Sequence, residues 1–279
     1  MKTVRLNNGV EMPQIGYGVY QVSPSECERC VSNALECGYR MIDTAQAYHN
    51  EEGVGKAVKN SGIKRNEIFI VSKVWISNYG YENARKSIDE SLKKLQTDYI
   101  DLMLLHQPFC DRYGAYRALE KAYKEGKLRA IGVSNFYPDH FIDIASNMEI
   151  IPAVNQVETH VFNQQIEAQK IMEEFGTRIM SWGPLAEGRN NFFNNTILAN
   201  IGAKYGKSIA QVALRWLIQR GVIIIPKSTH IERMKENIEI FDFSLSQEDM
   251  GNIAGLDTGK SLFFDHHDAD TVRMFMGWR

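Results

Sequence analysis

The sequence predicts an α/β protein with the (β/α)8 barrel fold, also called the TIM barrel, with an N-terminal β-hairpin and extra helices near the C-terminus. Short apolar segments alternate with helical patterns along the chain, which is typical of a parallel sheet. Seven internal strands are clear, and residues 15–19 supply an eighth. Eight strand–helix units suit a barrel of this length, and no linker interrupts them, so we predict one domain over residues 1–279.

The chain is expected to begin with a hairpin and a helix. Residues 4–6 and 10–12 flank an Asn-Asn-Gly turn, the pattern of a β-hairpin. The first helix is expected to begin at the Ser-Pro pair of residues 23–24 and to end at Gly38. Both boundaries are typical of helix ends, so this segment is the first helix of the barrel layer.

Three of the four cysteines, Cys27, Cys30 and Cys37, fall within this helix. A Cys-x-x-Cys spacing can indicate a zinc or redox site. Zinc would need a second ligand pair, and redox chemistry would need a βαβ turn. The sequence therefore favours free thiols packed on a helix.

Strands and helices then alternate to the end of the barrel. The expected strands span residues 40–44, 68–73, 99–105, 129–133, 153–156, 178–182 and 222–226. The expected helices span residues 51–60, 81–95, 113–125, 138–145, 164–175, 231–240 and 247–254, with two more inside 195–220. The strands are apolar throughout, as strands covered on both faces should be. A doubly wound open sheet is the alternative, but the two Gly-x-Gly segments, at Gly16 and Gly53, lack the third glycine of a dinucleotide-binding turn.

Composition excludes several functional classes. The chain has 32 Lys and Arg against 34 Asp and Glu, so it has no broad basic surface and we predict no nucleic-acid partner. Its longest apolar runs are too short to span a bilayer, and its first residues lack the apolar core of a signal peptide. We therefore expect a cytoplasmic protein without a membrane partner.

Polar side chains follow most of the predicted strands, at the barrel end where active sites of this fold lie. They are Asp43 with Tyr48 just beyond, Lys73, His106, Ser134 with Asn135, Gln156, Trp182 with Gly183, and Lys227 with Ser228. Asp43 and Lys73 interrupt apolar runs, where a charge is costly unless it is paired. We therefore expect these two side chains to meet at the mouth of the barrel.

This combination of residues indicates proton donation to a carbonyl. A nearby ammonium such as Lys73 should lower the pKa of a tyrosine from its usual value near 10, and a carboxylate such as Asp43 should orient the ammonium. The tuned tyrosine would act as a general acid, and a neutral imidazole could donate a hydrogen bond to the same oxygen. The strand ends carry no nucleophile paired with a base and no acidic cluster for a metal. A nicotinamide hydride is then the natural reductant, and no metal is predicted.

The sequence resembles the aldo-keto reductase family over essentially its whole length, and in particular microbial members such as the diketogluconate and glyoxal reductases. The segments that carry the resemblance are Gly38-Tyr-Arg-Met-Ile-Asp-Thr-Ala-Gln-Ala-Tyr48, Ile70-Val-Ser-Lys-Val-Trp75, Asp98-Tyr-Ile-Asp-Leu-Met-Leu-Leu-His106, Ile131-Gly-Val-Ser-Asn-Phe136, Asn155-Gln156, Trp182-Gly-Pro-Leu-Ala-Glu-Gly188 and Ile225-Pro-Lys-Ser228. The family has a (β/α)8 barrel, which agrees with the strand count.

The resemblance implies a catalytic role for four residues. Tyr48 would be the proton donor, Lys73 and Asp43 would tune it, and His106 would orient the substrate carbonyl. Asp43 also counts among the cofactor contacts that the resemblance implies. The implied reaction is reduction of an aldehyde or ketone to an alcohol.

The resemblance also implies an NADP(H) site. Ser134, Asn135 and Gln156 would hold the nicotinamide carboxamide, Trp182 would stack on the ring, and Gly183 and Leu185 would follow the pyrophosphate in the loop of residues 183–195. Lys227, Ser228 and Arg233 would bind the 2′-phosphate, and Glu236 and Asn237 would contact the adenine. Two cations and a hydroxyl near a helix start suit a phosphate, which favours NADP(H) over NAD(H).

The substrate is less well defined. Tyr20, Trp75, Phe109 and the tail segment Phe263-Phe264-Asp265-His266-His267 could line a pocket, although core packing is an equal interpretation of each. Many relatives have His-Trp-Pro where this chain has His106-Gln107-Pro108. A short connection after Pro108 and a short tail suggest a relatively open pocket for small dicarbonyls or keto sugars. The His266-His267-Asp268 triplet is interpreted as pocket rim or solvated tail rather than as a metal site.

Two alternatives remain open. Lys73 could instead be the nucleophile of a Schiff-base enzyme on the same barrel. The chain could also be a nucleotide-sensing barrel without catalysis, because fold does not fix function. In each case the partner is a small molecule, and we expect a monomer.

Overall fold

The structure, a computed structural model, describes residues 2–278 and has the predicted (β/α)8 barrel with an N-terminal hairpin. The hairpin strands are β1 Thr3–Arg5 and β2 Glu11–Pro13, which pair antiparallel with Val4 opposite Met12. Leu6 and Met12 are buried with side chains from the barrel interior. The hairpin therefore plugs the end of the barrel opposite the predicted site. The one-domain prediction also covers Met1 and Arg279, which lie outside the described residues.

Eight parallel strands form the barrel. They are β3 Tyr17–Gly18, β4 Met41–Asp43, β5 Phe69–Val74, β6 Leu102–Leu105, β7 Ile131–Ser134, β8 Val154–Glu158, β9 Arg178–Trp182 and β10 Ile223–Ile224. Each strand pairs with the next along the chain. The sheet closes where Gly16 N donates to Ile224 O at 2.8 Å and Ile224 N donates to Gln14 O at 2.9 Å.

The helices surround this sheet. They are α1 Pro24–Glu36, α2 Glu51–Asn60, α3 Tyr81–Leu95, α4 Arg112–Lys124, α5 Pro138–Asn147, α6 Ile166–Glu174, α7 Thr196–Tyr205, α8 Ile209–Gln219, α9 Ile231–Ile238, α10 Gln247–Ala254 and α11 Ala269–Met276. Every predicted helix is present, with ends within a few residues of those expected. Helix α11 was not predicted. No helix among residues 2–278 is long and apolar enough to cross a membrane.

The apolar core has two layers. One lies inside the barrel and contains Met41, Val71, Leu104 and Met180, and the other lies between the strands and the helices. Gly132 keeps the inner layer tight, since an added Cβ would lie 2.3 Å from the carbonyl oxygen of Val154. A larger residue at this position would therefore push two neighbouring strands apart.

The cysteines of α1 are free, as predicted. Cys27 and Cys30 are buried in α1, Cys37 directly follows the helix and is partly exposed, and none of the three forms a disulfide within residues 2–278. Burial raises the pKa of the Cys27 thiol to about 12, so this residue is an unreactive core side chain.

Candidate active site

The strand ends that carry the predicted site residues meet at one mouth of the barrel. Successive side chains of a strand point to opposite faces, so a residue two positions beyond an interior side chain also points inward. The interior side chains and the site residues that follow them are Met41 and Asp43, Val71 and Lys73, Leu104 and His106, Val154 and Gln156, and Met180 and Trp182. The apolar interior thus becomes polar within one step along four of these strands, and the fifth ends at the aromatic Trp182.

A cavity of about 1090 Å³ opens at this mouth. The predicted site residues in its wall are Tyr20, Asp43, Tyr48, Trp75, His106, Ser134, Asn135, Gln156, Trp182, Gly183, Leu185, Lys227, Phe263 and Phe264. Its volume lies slightly above the range of about 300–1,000 Å³ that is usual for small-molecule sites. The structure therefore brings most of the sequence-predicted residues to a single cavity.

Asp43 and Lys73 form the expected buried pair. Lys73 Nζ lies 2.6 Å from Asp43 Oδ1, donates to Thr44 O at 2.9 Å, and reaches the Tyr48 hydroxyl at 3.4 Å. Burial lowers the pKa of Lys73, and the negative charge of Asp43 opposes that shift. All three hydrogen positions of the ammonium are thereby directed at oxygen atoms.

Tyr48 lies on a single 3-10 turn, Gln46–Tyr48, and its ring contacts the rings of Tyr20 and His106. Burial raises the pKa of Tyr48 well above 10, and the charge of Asp43 raises it further. The sequence predicted that Lys73 lowers this pKa, whereas the net shift is upward, because burial and the charge of Asp43 both disfavour the phenolate. The phenol therefore keeps its proton at neutral pH.

His106 follows β6 and is 8% exposed, between the rings of Tyr48 and Trp75. Burial lowers the pKa of His106 well below 6.5, and the nearby Lys73 charge acts in the same direction. The ring is therefore neutral, as predicted. Its Nδ1 is buried and has no hydrogen-bond partner among residues 2–278, so the imidazole retains an unused hydrogen-bonding atom.

The next strand ends connect to this group. Gln156 Nε2 donates to Asp43 Oδ2 at 2.8 Å, and Ser134 Oγ donates to Gln156 O at 2.8 Å. Asn135 Nδ2 donates to His106 O at 3.0 Å, and its Oδ1 accepts from Trp182 Nε1 at 2.8 Å. These contacts fix the orientation of each amide at the mouth of the barrel.

The loop of residues 183–195 lies over one side of the cavity. Gly183 and Leu185 are in the cavity wall. Arg189 donates to Leu262 O at 2.9 Å and lies over the Phe263 ring, so the loop is attached to the C-terminal tail.

Most of the residues predicted to bind the 2′-phosphate and the adenine of the cofactor lie outside the main cavity. Lys227 is in the cavity wall, whereas Ser228, Arg233, Glu236 and Asn237 are not. The Ser228 hydroxyl accepts from His230 N at 3.0 Å, and Glu236 accepts a hydrogen bond from Ser208. Lys227 and Arg233 are exposed, and neither has an ion-pair partner within the described chain.

The C-terminal tail contributes more of the wall than the sequence predicted. Phe275 of α11 and Trp278 line the cavity, and Trp75 Nε1 donates to Trp278 O at 3.1 Å. Phe109 packs on Phe275 and His266 instead of lining the cavity. The pocket is thus flanked by a helix that a tail of this length was not expected to form.

Sequence analysis also missed Gln46. Its Oε1 accepts from Trp75 N and Asn78 Nδ2, each at 2.9 Å, and its Nε2 donates to Ser87 O at 3.2 Å and to Ser91 Oγ at 3.1 Å. The turn that carries Tyr48 is thereby tied to the backbone of Trp75. A single glutamine in a loop gives no periodic or motif signal that could have predicted this.

Comparisons with known proteins agree with this geometry. A model of the Aldo/keto reductase family matches residues 8–258. The chain is 49% identical to glyoxal reductase of Bacillus subtilis, over 91% of this chain and 92% of that protein. It is 41% identical to methylglyoxal reductase DkgA of Escherichia coli K12, over 93% of this chain and 94% of that protein. The crystal structure of a Bombyx mori aldo-keto reductase in complex with NADP superposes with a TM-score of 0.90 at 31% identity, covering 98% of this chain and 96% of that one.

Proposed function

The chain belongs to the aldo/keto reductase family and is an oxidoreductase, and from that premise we propose that it reduces small aldehydes and ketones to alcohols with NADPH. The observation that supports this most strongly is the contact chain from Asp43 through Lys73 to the Tyr48 hydroxyl, beside a neutral His106. It supplies a proton donor and a second hydrogen-bonding group at one point of the cavity wall. Small dicarbonyls, keto sugars and aromatic aldehydes are the proposed substrates.

The residues present fit NADP(H). When bound, the reduced nicotinamide supplies the hydride that reduces the carbonyl carbon. Asn135, Gln156 and Ser134 carry amide and hydroxyl groups for the nicotinamide carboxamide, and the Trp182 indole offers a flat face for its ring. Gly183 and Leu185, which lie in the cavity wall, are assigned to the pyrophosphate.

The far end of the cofactor also has candidate contacts. The exposed cations Lys227 and Arg233, with the Ser228 hydroxyl, suit the 2′-phosphate. Glu236 and Asn237 are assigned to the adenine. The absence of an ion-pair partner for either cation among residues 2–278 supports a role in anion binding, because no internal carboxylate competes for them.

Tyr48 is proposed as the general acid. Its raised pKa keeps the phenol protonated at neutral pH, as an acid in the reducing direction must be. As the proton leaves for the carbonyl oxygen, the ammonium of Lys73 stabilises the charge that develops on the phenolic oxygen. His106 donates a hydrogen bond from its neutral ring to the same carbonyl oxygen and so positions the substrate.

The substrate side of the cavity is aromatic. Tyr20, Trp75, Phe264, Phe275 and Trp278 contribute rings to its wall, which suits planar or apolar carbonyl compounds. The names of the two similar reductases, which act on glyoxal and methylglyoxal, support the smallest dicarbonyls as the first compounds to test.

The Schiff-base alternative is less well supported. A nucleophilic lysine must be free of a carboxylate partner to lose its proton, whereas Lys73 lies 2.6 Å from Asp43 and is fully buried. Treatment with borohydride and substrate would trap an adduct on Lys73 if that mechanism operated. A sensing barrel would bind NADPH without turnover.

The test is NADPH oxidation with glyoxal, methylglyoxal, phenylglyoxal, nitrobenzaldehyde and a keto sugar acid. Turnover with any of them supports the proposal, and their ranking by kcat/KM defines the pocket. Tight NADPH binding without turnover of any compound would favour the sensing barrel. A monomeric state and a cytoplasmic location remain predictions, of which light scattering tests the first.

A further inference from the structure

A cluster of potential metal ligands lies outside the cavity, where the C-terminal tail meets the start of helix α5. Asp139 and His140 belong to the first turn of α5, and His267 precedes α11. Their nearest donor atoms all lie within 4.8 Å of one another. The cluster therefore joins two parts of the chain that are far apart in sequence.

The distances within the cluster suit a transition-metal ion. His140 Nδ1 lies 3.3 Å from Asp139 Oδ2, and His267 Nε2 lies 3.6 Å from Asp139 Oδ1. A tetrahedral zinc ion with bonds of about 2.0–2.2 Å holds neighbouring ligand atoms roughly 3.4 Å apart. Small side-chain rotations would thus be enough to bring the three donor atoms to one ion.

The donor set also suits such an ion. Imidazole nitrogen and carboxylate oxygen are the ligands of three-residue zinc sites, in which water completes the coordination. His140 Nδ1 is buried, and no residue from 2 to 278 gives it a hydrogen-bond partner. In the neutral tautomer that carries its proton on Nε2, this Nδ1 presents a free lone pair to a cation.

The neighbouring charges leave room for a cation. The positive charge of Arg112 acts on His140, and its guanidinium lies 2.7 Å from the carboxylate of Asp143, which partly compensates that charge. The side chains of Asp139 and His267 are 60% and 49% exposed, so an ion and its water can reach the cluster from solvent. The rings of His140 and His267 are already nearly parallel, with centroids 5.8 Å apart.

We propose that Asp139, His140 and His267 form a binding site for one divalent transition-metal ion such as Zn²⁺, which attaches the C-terminal tail to helix α5. His266, which directly precedes His267, is buried beside Phe275 of the cavity wall. An ion on His267 therefore restrains the segment that places α11 against the pocket. The sequence prediction considered His266-His267-Asp268 together, whereas the structure turns His266 inward and uses Asp268 to cap α11, leaving only His267 in the cluster.

The first test measures Zn²⁺ binding by calorimetry to the full chain. All proteins carry Cys110→Ser, because Cys110 is an exposed thiol that could bind zinc itself. We expect one Zn²⁺ per chain, with affinity at least tenfold weaker in His267→Gln and in His140→Gln. His230→Gln removes an exposed histidine outside the cluster and should bind as the parent does. Equal affinity in the His267→Gln variant and the parent would overturn the proposal.

A second measurement tests the attachment of the tail. Zn²⁺ should slow hydrogen exchange of residues 269–276 in the parent and leave it unchanged in His267→Gln. Because His267 is half exposed, its variant should fold normally, and NADPH-dependent turnover without added metal checks that it does. Zinc binding without slower exchange in the tail would contradict the attachment. Failure of the metal-site proposal would leave the proposed reductase activity unaffected, because that activity is measured without zinc.

Discussion

The side-chain oxygen of Gln107 lies 2.8 Å from Nε2 of His266, so the strand end that carries His106 is hydrogen-bonded to the C-terminal tail. Both residues are almost fully buried, and the imidazole of His266 packs against the rings of Phe109 and Phe275, which also contact each other. Burial lowers the pKa of His266 to about 4, so the ring is neutral and its Nε2 donates to the glutamine. The amide that replaces the family's usual tryptophan thus holds the tail that forms the pocket wall.

Loss of this hydrogen bond should destabilise the protein. Gln107→Ala leaves a buried imidazole nitrogen without its partner, and we expect the free energy of unfolding in urea to fall by about 1–3 kcal/mol. Since Phe275 packs on His266, KM for the best carbonyl should also rise. Gln247→Ala, an exposed change at the start of α10, is the control and should alter neither quantity. Unchanged stability in Gln107→Ala would show that the contact does not hold the tail.

The buried His266 should make stability depend on pH. Its pKa is about 4 when folded and near 6.5 when unfolded, so below pH 6.5 the unfolded chain binds the extra proton. The contribution of the neutral His266 to the free energy of unfolding is therefore fully present above pH 6.5. It decreases by about 3 kcal/mol as the pH falls towards 4. Urea unfolding at pH 7 and pH 5 should show a smaller pH difference in His266→Gln than in the wild type. An identical difference would contradict the assignment, and the buried His106 would then account for the whole effect.

Asp43→Asn should be severely destabilising. It leaves the fully buried Lys73 ammonium without its counter-charge, which costs about 3–5 kcal/mol when one partner of a buried pair is removed. The matched control is Asp270→Asn, which removes an exposed carboxylate from its ion pair with Arg273 and should cause no measurable loss. Comparison of the thermal midpoints of the two variants tests whether the buried Asp43–Lys73 pair contributes more to stability than an exposed ion pair does. A similar small shift in both would mean that Lys73 is neutral in the folded protein.

The cofactor preference should depend on two exposed cations. We expect Lys227→Ala combined with Arg233→Ala to weaken NADPH binding at least tenfold, since each charge-assisted hydrogen bond to a phosphate contributes about 1.5–3 kcal/mol. NADH, which has no 2′-phosphate, should bind as before. Lys235→Ala removes a cation of the same helix and serves as the control. Equal weakening of NADPH and NADH, measured by fluorescence titration, would contradict the phosphate assignment.

Much of the fold followed from the sequence because alternation of strands and helices and the positions of helix caps are local properties. The site was predictable for a related reason: Asp43, Lys73 and His106 each end a strand of a parallel barrel, and the fold gathers such ends. Helix α11 was not predicted, since the burial of its Phe275 depends on a contact with Phe109, which is far away in the sequence. The pKa of Tyr48 was predicted in the wrong direction because sequence reveals the neighbouring charges but not the extent of desolvation.

The central claim is that Tyr48 donates the proton to the carbonyl oxygen, and Tyr48→Phe tests it most directly. The measurement is kcat/KM for the best carbonyl together with the Kd of NADPH, in the variant and in the wild type. We expect kcat/KM to fall by about 10²–10⁴, the usual contribution of a general acid, with the Kd of NADPH within about twofold of the wild type. Turnover near the wild-type rate, or loss of NADPH binding in parallel with turnover, would contradict the role assigned to Tyr48.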